Sequence, residues 1–491
     1  MSFCAASTSA CRAFTIIKSW EQIRGYFKSM NQNRFLQSVE HTFTDRVFLK
    51  KALLIAIPIA LQNMLNTITN LVDTLMIGRL GSTSIAAVGL ANKYFFVFNL
   101  FVFGICSGSG ILAAQFWGSR DEKNIRKVLG FAAVIALLGA AVFFIPAFLN
   151  PRLIMTIFTN SESSIEVGAR YLRIACLTYP FTALSNVIVA MLRSINRVKA
   201  PVATSLCAIL INIFLNYCLI FGKLGFPELG VAGAALATLT ARIVELLCLL
   251  AVMYRKDNPL RANPRELIGW KTAFLKSFLM HASPVIANEF MWGLGTTLYS
   301  VAYGRMGDDA VAAITIATTI QDIVIVLWAG LSAATAVILG NELGAGRTER
   351  AEDYSVKFFT LSFLMTFLSM AFIFLIRWPI IGMYSIEASV AENVSRCILV
   401  FIAYMIPKMY NYILIVGVLR SGGDTRMCLF LDTSGVWFLG VPLAFLGALY
   451  WKLPIYAVYA LVLSEEIYKM IVGTLRYRQK KWLRNIALEV K

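Results

Sequence analysis

Twelve apolar runs recur along this 491-residue sequence, at roughly 52–77, 90–115, 128–149, 168–192, 202–222, 229–253, 277–303, 313–339, 356–378, 397–419, 428–450 and 454–474. Each is close to or beyond the ~20 residues that a helix needs to cross the hydrocarbon core of a bilayer. In lipid the backbone must satisfy its own hydrogen bonds, which leaves helices and closed barrels. Runs this long and this evenly apolar are not the ~10-residue alternating strands of a barrel. The predicted fold class is therefore all-α integral membrane with twelve transmembrane helices, its surroundings a lipid bilayer. With 58% hydrophobic and 15% charged residues, a soluble domain is excluded. The net charge of +18 sits in short turns between the runs, which is the pattern of cytoplasmic loops and not of a nucleic-acid surface.

Lys and Arg concentrate in alternate connections: Arg120, Lys123, Arg126 and Lys127; Arg193, Arg197 and Lys199; Arg255 to Lys271; Arg347 and Arg350; Arg420 and Arg426; and Arg476 to Arg484. This bias puts both termini in the cytoplasm. Residues 1–50 hold no signal-peptide pattern. Ile16, Trp20, Ile23 and Phe27 recur there at helical spacing among basic residues, and the stretch reads equally as an amphipathic surface helix, a disordered tail, or an extension upstream of a start at Met30. Nine scattered cysteines and two histidines, His41 and His281, give no disulfide framework and no metal spacing. No GxxxxGK[ST] phosphate loop is present, so no ATP and no other cofactor is expected.

The chain repeats itself. IGRLGSTSIAAVGLA from Ile77 resembles YGRMGDDAVAAITIA from Tyr303, and MLRSINR from Met191 resembles VLRSGGDTR from Val418, at offsets of 226 and 227 residues. Pro58 pairs with Pro284 and Pro180 with Pro407 at the same spacing. Six runs per repeat mean that both enter the membrane in the same sense, a parallel duplication seen in secondary transporters. The expected organisation is an amino-terminal extension (1–50), a first lobe (51–254), a cytoplasmic linker (255–276), a second, pseudo-symmetric six-helix lobe (277–475) and a basic tail (476–491), with a cavity between the lobes.

Several polar groups stand inside the apolar runs. The first carries Gln62, Asn63, Asn66, Thr67, Thr69, Asn70 and Asp73; at 1.5 Å per residue Asp73 lies roughly 33 Å along the axis from Lys51. A carboxylate there either marks an ion or substrate path or caps the helix end at the interface. Glu289 and Asp322 are candidates for coupling or substrate attraction; Glu289 alternatively pairs with a base such as Lys408 or Lys93. Glu465 and Glu466 lie near Lys469 as a structural pair, and Tyr94, with Phe95, Phe96, Phe98, Phe101 and Phe103, offers rings suited to flat lipophilic cations or simply to lipid-facing bulk.

VDTLMIGRLG at Val72–Gly81, its echo YGRMGDDAVAA, the VLRSGGDTR turn and NIFLNYCLIFG at Asn212–Gly222 together resemble the multidrug and toxic compound extrusion (MATE) transporters, over about residues 45–475. The resemblance implies two six-helix lobes around a central cleft and an antiporter that exports organic, often cationic, compounds against inflow of Na⁺ or H⁺. It also implies a cation site in the first lobe, carried here by Asp73, Asn212, Asn216 and Thr238; many relatives have Asp where this chain has Asn216. Spacing of i and i+4 sets the two asparagines on one helix face, and oxygen ligands around one carboxylate suit Na⁺, or H⁺ on the carboxylate itself. For Asn212 and Thr238 the other reading is a hydrogen-bond network that only ties helices together. Relatives that use acids on the seventh and tenth helices are not matched at Lys408, so that site does not carry over. The expected protein is no enzyme; it is an exporter of small amphiphilic organic compounds in a bacterial plasma membrane, using Na⁺ or H⁺ and neither ATP nor nucleic acid. A flippase for a lipid-linked substrate is the alternative, and a strongly cationic cavity would favour it.

Overall fold

The computed structural model describes residues 32–384 and 386–489; the amphipathic pattern at Ile16–Phe27 lies outside them. Among the described residues every regular element is helical. A short helix, Gln32–Thr44, comes first, and the Asp45 side chain accepts from the Phe48 backbone N–H at 2.9 Å at the turn that follows.

Twelve passes then follow in chain order among the described residues: α1 (Arg46–Gly78), α2 (Ser82–Gly118), α3 (Glu122–Leu149), α4 (Glu162–Ala175 and Thr178–Ser194, bent by 49°), α5 (Lys199–Phe221), α6 (Val231–Met253), α7 (Thr272–Gly304), α8 (Asp308–Gly344), α9 (Thr348–Ile381), α10 (Ala388–Asn411, continued by Tyr412–Leu419), α11 (Thr425–Tyr450) and α12 (Ile455–Leu463 with Glu465–Arg478). Nine of these helices are by themselves long and apolar enough to span a bilayer, and the bent pair of α4 makes a tenth. The remaining two, α7 and α12, carry the embedded acids Glu289, Glu465 and Glu466. In α10 and α11 the backbone passes into π-helical turns at Tyr412–Leu419, Gly435–Gly440 and Leu446–Tyr450, the kind of irregularity that concentrates at functional places.

The duplication is written into the backbone. Gly81 and Gly307, 226 residues apart, precede α2 and α8 with φ of +107° and +105°. Glycine alone enters that region without strain, which accounts for the last glycine of both GRxG boxes. Reciprocity at the α2–α8 crossing says the same. A side chain on Gly118 would overlap the Asn341 carbonyl, and one on Gly344 would overlap the Gln115 carbonyl. Both pairs are again offset by 226, as a two-fold axis running between α2 and α8 requires. α2 also packs closely on α7, where Gly104 meets Ile286 and Gly108 meets Ala282. All these contacts fall in the second half of α2, towards the end of the molecule that holds the basic connections.

The packed core of the first half is built by Phe98, Phe116, Met155, Tyr179, Met191 and Leu249 from α2 and α4 to α6 with their connections. α1 takes little part. It turns Leu53, Ile57, Leu61, Leu71 and Leu75 outward, and its inward face carries the polar residues that line the site. The connection from α6 to α7 is tied down by polar bonds: Arg197 Nη1 donates to Asp257 at 2.9 Å and Arg126 Nη1 to Glu266 at 3.1 Å. The hydrogen bond from Arg197 holds the Asp257 carboxyl below its usual range.

Candidate functional site

A cavity of about 560 Å³ opens between α1, α2, α4, α5 and α6. It lies within the first half, lined by residues between Asn66 and Glu245. One wall is aromatic, with Phe95, Phe96, Tyr171 and Tyr179. Phe98 stacks on Tyr179 behind that wall, centroids 4.7 Å apart. The opposite wall is polar and comes from α1, α5 and α6.

On that wall four side chains form one chain of hydrogen bonds. Asn216 is fully buried, and its Nδ2 donates both to Asp73 Oδ1 at 2.5 Å and to Asn212 Oδ1 at 3.2 Å. Asn212 Nδ2 donates to Thr238 Oγ1 at 3.3 Å, and Thr238 passes its own proton to the Ala234 carbonyl at 3.0 Å. One helical turn separates Asn212 from Asn216, so α5 can reach α1 with one amide and α6 with the other. Asn216 Oδ1 is left buried without a donor among the described residues. A carboxylate beside an unpaired amide oxygen and a hydroxyl is a set of hard oxygen ligands, chemistry that fits Na⁺ or a proton on Asp73.

A second polar chain enters the same cavity about three turns earlier on α1. Arg193 Nη2 donates to Gln62 Oε1 at 2.6 Å, Gln62 Nε2 to Ser205 Oγ at 2.8 Å, and Ser205 Oγ to Glu245 Oε1 at 2.9 Å. Arg242 closes it with an ion pair to Glu245 at 2.7 Å. Sequence reasoning passed over Ser205, Arg242 and Glu245 and read Arg193 only as part of a basic connection, whereas its guanidinium bonds Gln62. The signal was an i, i+3 charged pair, Arg242 and Glu245, in the middle of an apolar run. These two chains are the polar ties that hold the inward face of α1.

The other predicted residues lie elsewhere. Tyr94 does not line the cavity; its hydroxyl donates to the Phe143 carbonyl at 2.9 Å and its ring meets Phe143 edge-on. Glu289 is bound by Arg420 at 2.9 Å, a partner in place of Lys408 or Lys93, and Arg420 also reaches Ser107 on α2 at 3.3 Å. A buried carboxylate held this way has its charge already met. Lys408 pairs with Glu466 at 3.3 Å, whereas Glu465 takes Lys469 at 3.1 Å and the Tyr299 hydroxyl at 2.7 Å. Asp322 is exposed on α8 and makes no hydrogen bond or ion pair among the described residues. Asp73 thus shares its own cavity with Asn212 and Thr238, while Asn216 closes the chain behind it and Glu289, Asp322 and Tyr94 stand apart.

A twelve-pass, internally duplicated helical fold with a polar-lined cavity in its first half is an architecture found among membrane transporters. The family model MatE matches this chain twice, at residues 58–218 and 284–446; the chain belongs to that family, the MATE multidrug efflux transporters. Similar proteins include the probable multidrug resistance protein NorM of Thermotoga maritima, 25% identical over 446 residues that cover 89% of this chain and 94% of the relative. The probable multidrug resistance protein YoeA of Bacillus subtilis is 25% identical over 410 residues, 83% and 88% of the two chains. Among solved structures, a MATE protein in the bent conformation superposes with a TM-score of 0.81 at 21% identity, covering 88% of this chain and 95% of the other. A MOP superfamily transporter from Pyrococcus furiosus, described by the reverse polarity of its binding pocket, gives 0.80 at 20% identity over 88% and 95%.

Proposed function

We propose that this chain is a cation-coupled exporter of small amphiphilic, often cationic, organic compounds, driven by inflow of Na⁺ or H⁺ across a bacterial plasma membrane, with its basic connections in the cytoplasm. The observation that carries the reading is Asp73 facing a cavity that also has an aromatic wall. The ion and the substrate then share one enclosed space, and the coupling ion neutralises the carboxylate that a cationic substrate needs. Flat cations gain from rings such as Phe95 and Tyr179, where a desolvated cation–π contact is worth about 2 kcal/mol. A lipid-linked anionic substrate would want an excess of basic groups. The cavity holds two carboxylates, Asp73 and Glu245, against one guanidinium, Arg242. Members of the family act as transporters, and the chain moves its substrate unaltered.

The test is competition at equilibrium. Binding of a fluorescent lipophilic cation to the purified protein is measured while Na⁺ is raised at fixed pH, and separately while pH is lowered without Na⁺. One of the two titrations displaces the cation if the reading holds; affinity unchanged in both contradicts it.

A further inference from the structure

The segment after α12 is set into the junction of the two halves. Trp482, Ile486 and Ala487 are almost completely buried, and Ile486 and Ala487 belong to the packed core that joins the first half to Phe278, Ala282 and Val285 of α7. The link is made by Gln115 of α2, itself wholly buried. Its amide donates to the carbonyls of Ser421 at 2.8 Å and Arg484 at 3.1 Å, and its oxygen accepts the Ile486 backbone N–H at 2.6 Å. Asn485 donates to the Gly344 carbonyl at the end of α8 at 3.1 Å.

The Val418–Arg426 turn is built around this segment. A side chain on Gly422 would overlap the Trp482 carbonyl, and one on Gly423, at φ +75°, would run into Ile486. Arg476, just before the segment, forks onto Asp424 with bonds of 2.6 and 2.9 Å. The amino-terminal half has a counterpart. Leu260, which lies 226 residues before Ile486, is buried in the same core, and Asn341, the counterpart of Gln115, donates to Asn196 Oδ1 at 3.3 Å.

We propose that Trp482–Leu488 is a latch that closes the molecule at its basic end and leaves its seat whenever that end opens. This rests on the reading of the chain as an exporter that opens alternately at its two ends. Opening at the basic end must draw α2 away from α8 and from Ser421. Gln115 sits on α2 and Gly344 on α8, so one segment bonded to both cannot keep both. Release strips the buried Gln115 amide of its two partners in the segment, and withdrawal of α2 from Ser421 strips the third, unless water replaces them. The Trp482 indole N–H, buried without an acceptor among the described residues, gains one on release.

Ala487→Cys, a small change at a buried position, reports the seat. Reaction of the introduced thiol with a membrane-impermeant maleimide present on both faces of proteoliposomes is followed by peptide mass. At rest it should be slow, and in vesicles that are transporting it should quicken severalfold. The added change Gln115→Leu should raise the resting rate about tenfold, the factor that one lost hydrogen bond or slightly more converts to. Equal rates at rest and during measured transport overturn the latch, as does a resting rate that Gln115→Leu leaves unchanged in folded, monodisperse protein. Vesicles that do not transport count against the exporter reading alone, and the resting comparison then decides the latch.

Discussion

Asn216 occupies the position from which α5 can bind α1. Its one amide group holds Asp73 and Asn212 together, and a hydrogen bond to a charged group is worth about 1.5–3 kcal/mol. That bond favours the charged carboxylate, so Asn216→Ala should shift the ion concentration needed for half-maximal transport by about tenfold or more, downward if the coupling ion is a proton, with maximal rate at saturating ion less affected. Transport measured against ion concentration checks this; an unchanged half-point would make the bond incidental. The residues of this chain were legible in part. Asp73 was visible as an embedded carboxylate; Asn212, Asn216 and Thr238 were named through the family resemblance, with which the i, i+4 spacing of the two amides agreed. The Gln62–Ser205–Glu245 chain was not, since each member lies on a different helix and Ser205 alone carries no signal. Glu289 was visible as a buried acid, but its partner Arg420 lies 131 residues away. Tyr94 shares α2 with Phe95 and Phe96 yet faces α3, a difference of one helical step that ring content cannot show.

At the scale of elements, the halves meet where glycines let backbones touch. Gly118 lies against the Asn341 carbonyl and Ala345 N, leaving no space for a methyl group. Gly118→Ala must push α2 and α8 apart, and overpacking of this kind costs about 1–3 kcal/mol. It should lower the thermal midpoint in detergent, whereas Gly304→Ala, with nothing within 4 Å of the new atom, should leave it in place. Equal midpoints for the two would mean that the crossing is looser than its geometry. The helices were readable from their apolar length, and the repeat from its glycine boxes. Bends were harder. The break in α4 follows Ala175 in a stretch that reads as continuous, and the π-turns of α10 and α11 have no residue pattern that announces them.

Over the whole molecule, the duplicated chain is asymmetric in its chemistry. The first half has two carboxylates at the cavity, Glu245 paired with Arg242 and Asp73 linked to the Asn216–Asn212–Thr238 chain. The second pairs Glu289, Glu465 and Glu466 with Arg420, Lys469 and Lys408. Paired charges are met internally and gain little from a passing ion, so under the proposed function the work of coupling falls to Asp73 in the first half, with Asp322, exposed on α8, the second half's remaining candidate acid. A ligand shifts the balance between two states only through its different affinity for them, and in the proposed function Asp73 is the group whose charge the ion and a cationic substrate would both need. The most direct measurement places the protein and its Asp73→Asn variant in proteoliposomes at equal density, imposes Na⁺ and pH gradients separately, and follows a fluorescent lipophilic cation. The unaltered protein should move the cation with one of the gradients, and Asp73→Asn, folded and inserted, should show no gradient-driven movement. Export by Asp73→Asn at the rate of the unaltered protein would place the coupling group elsewhere.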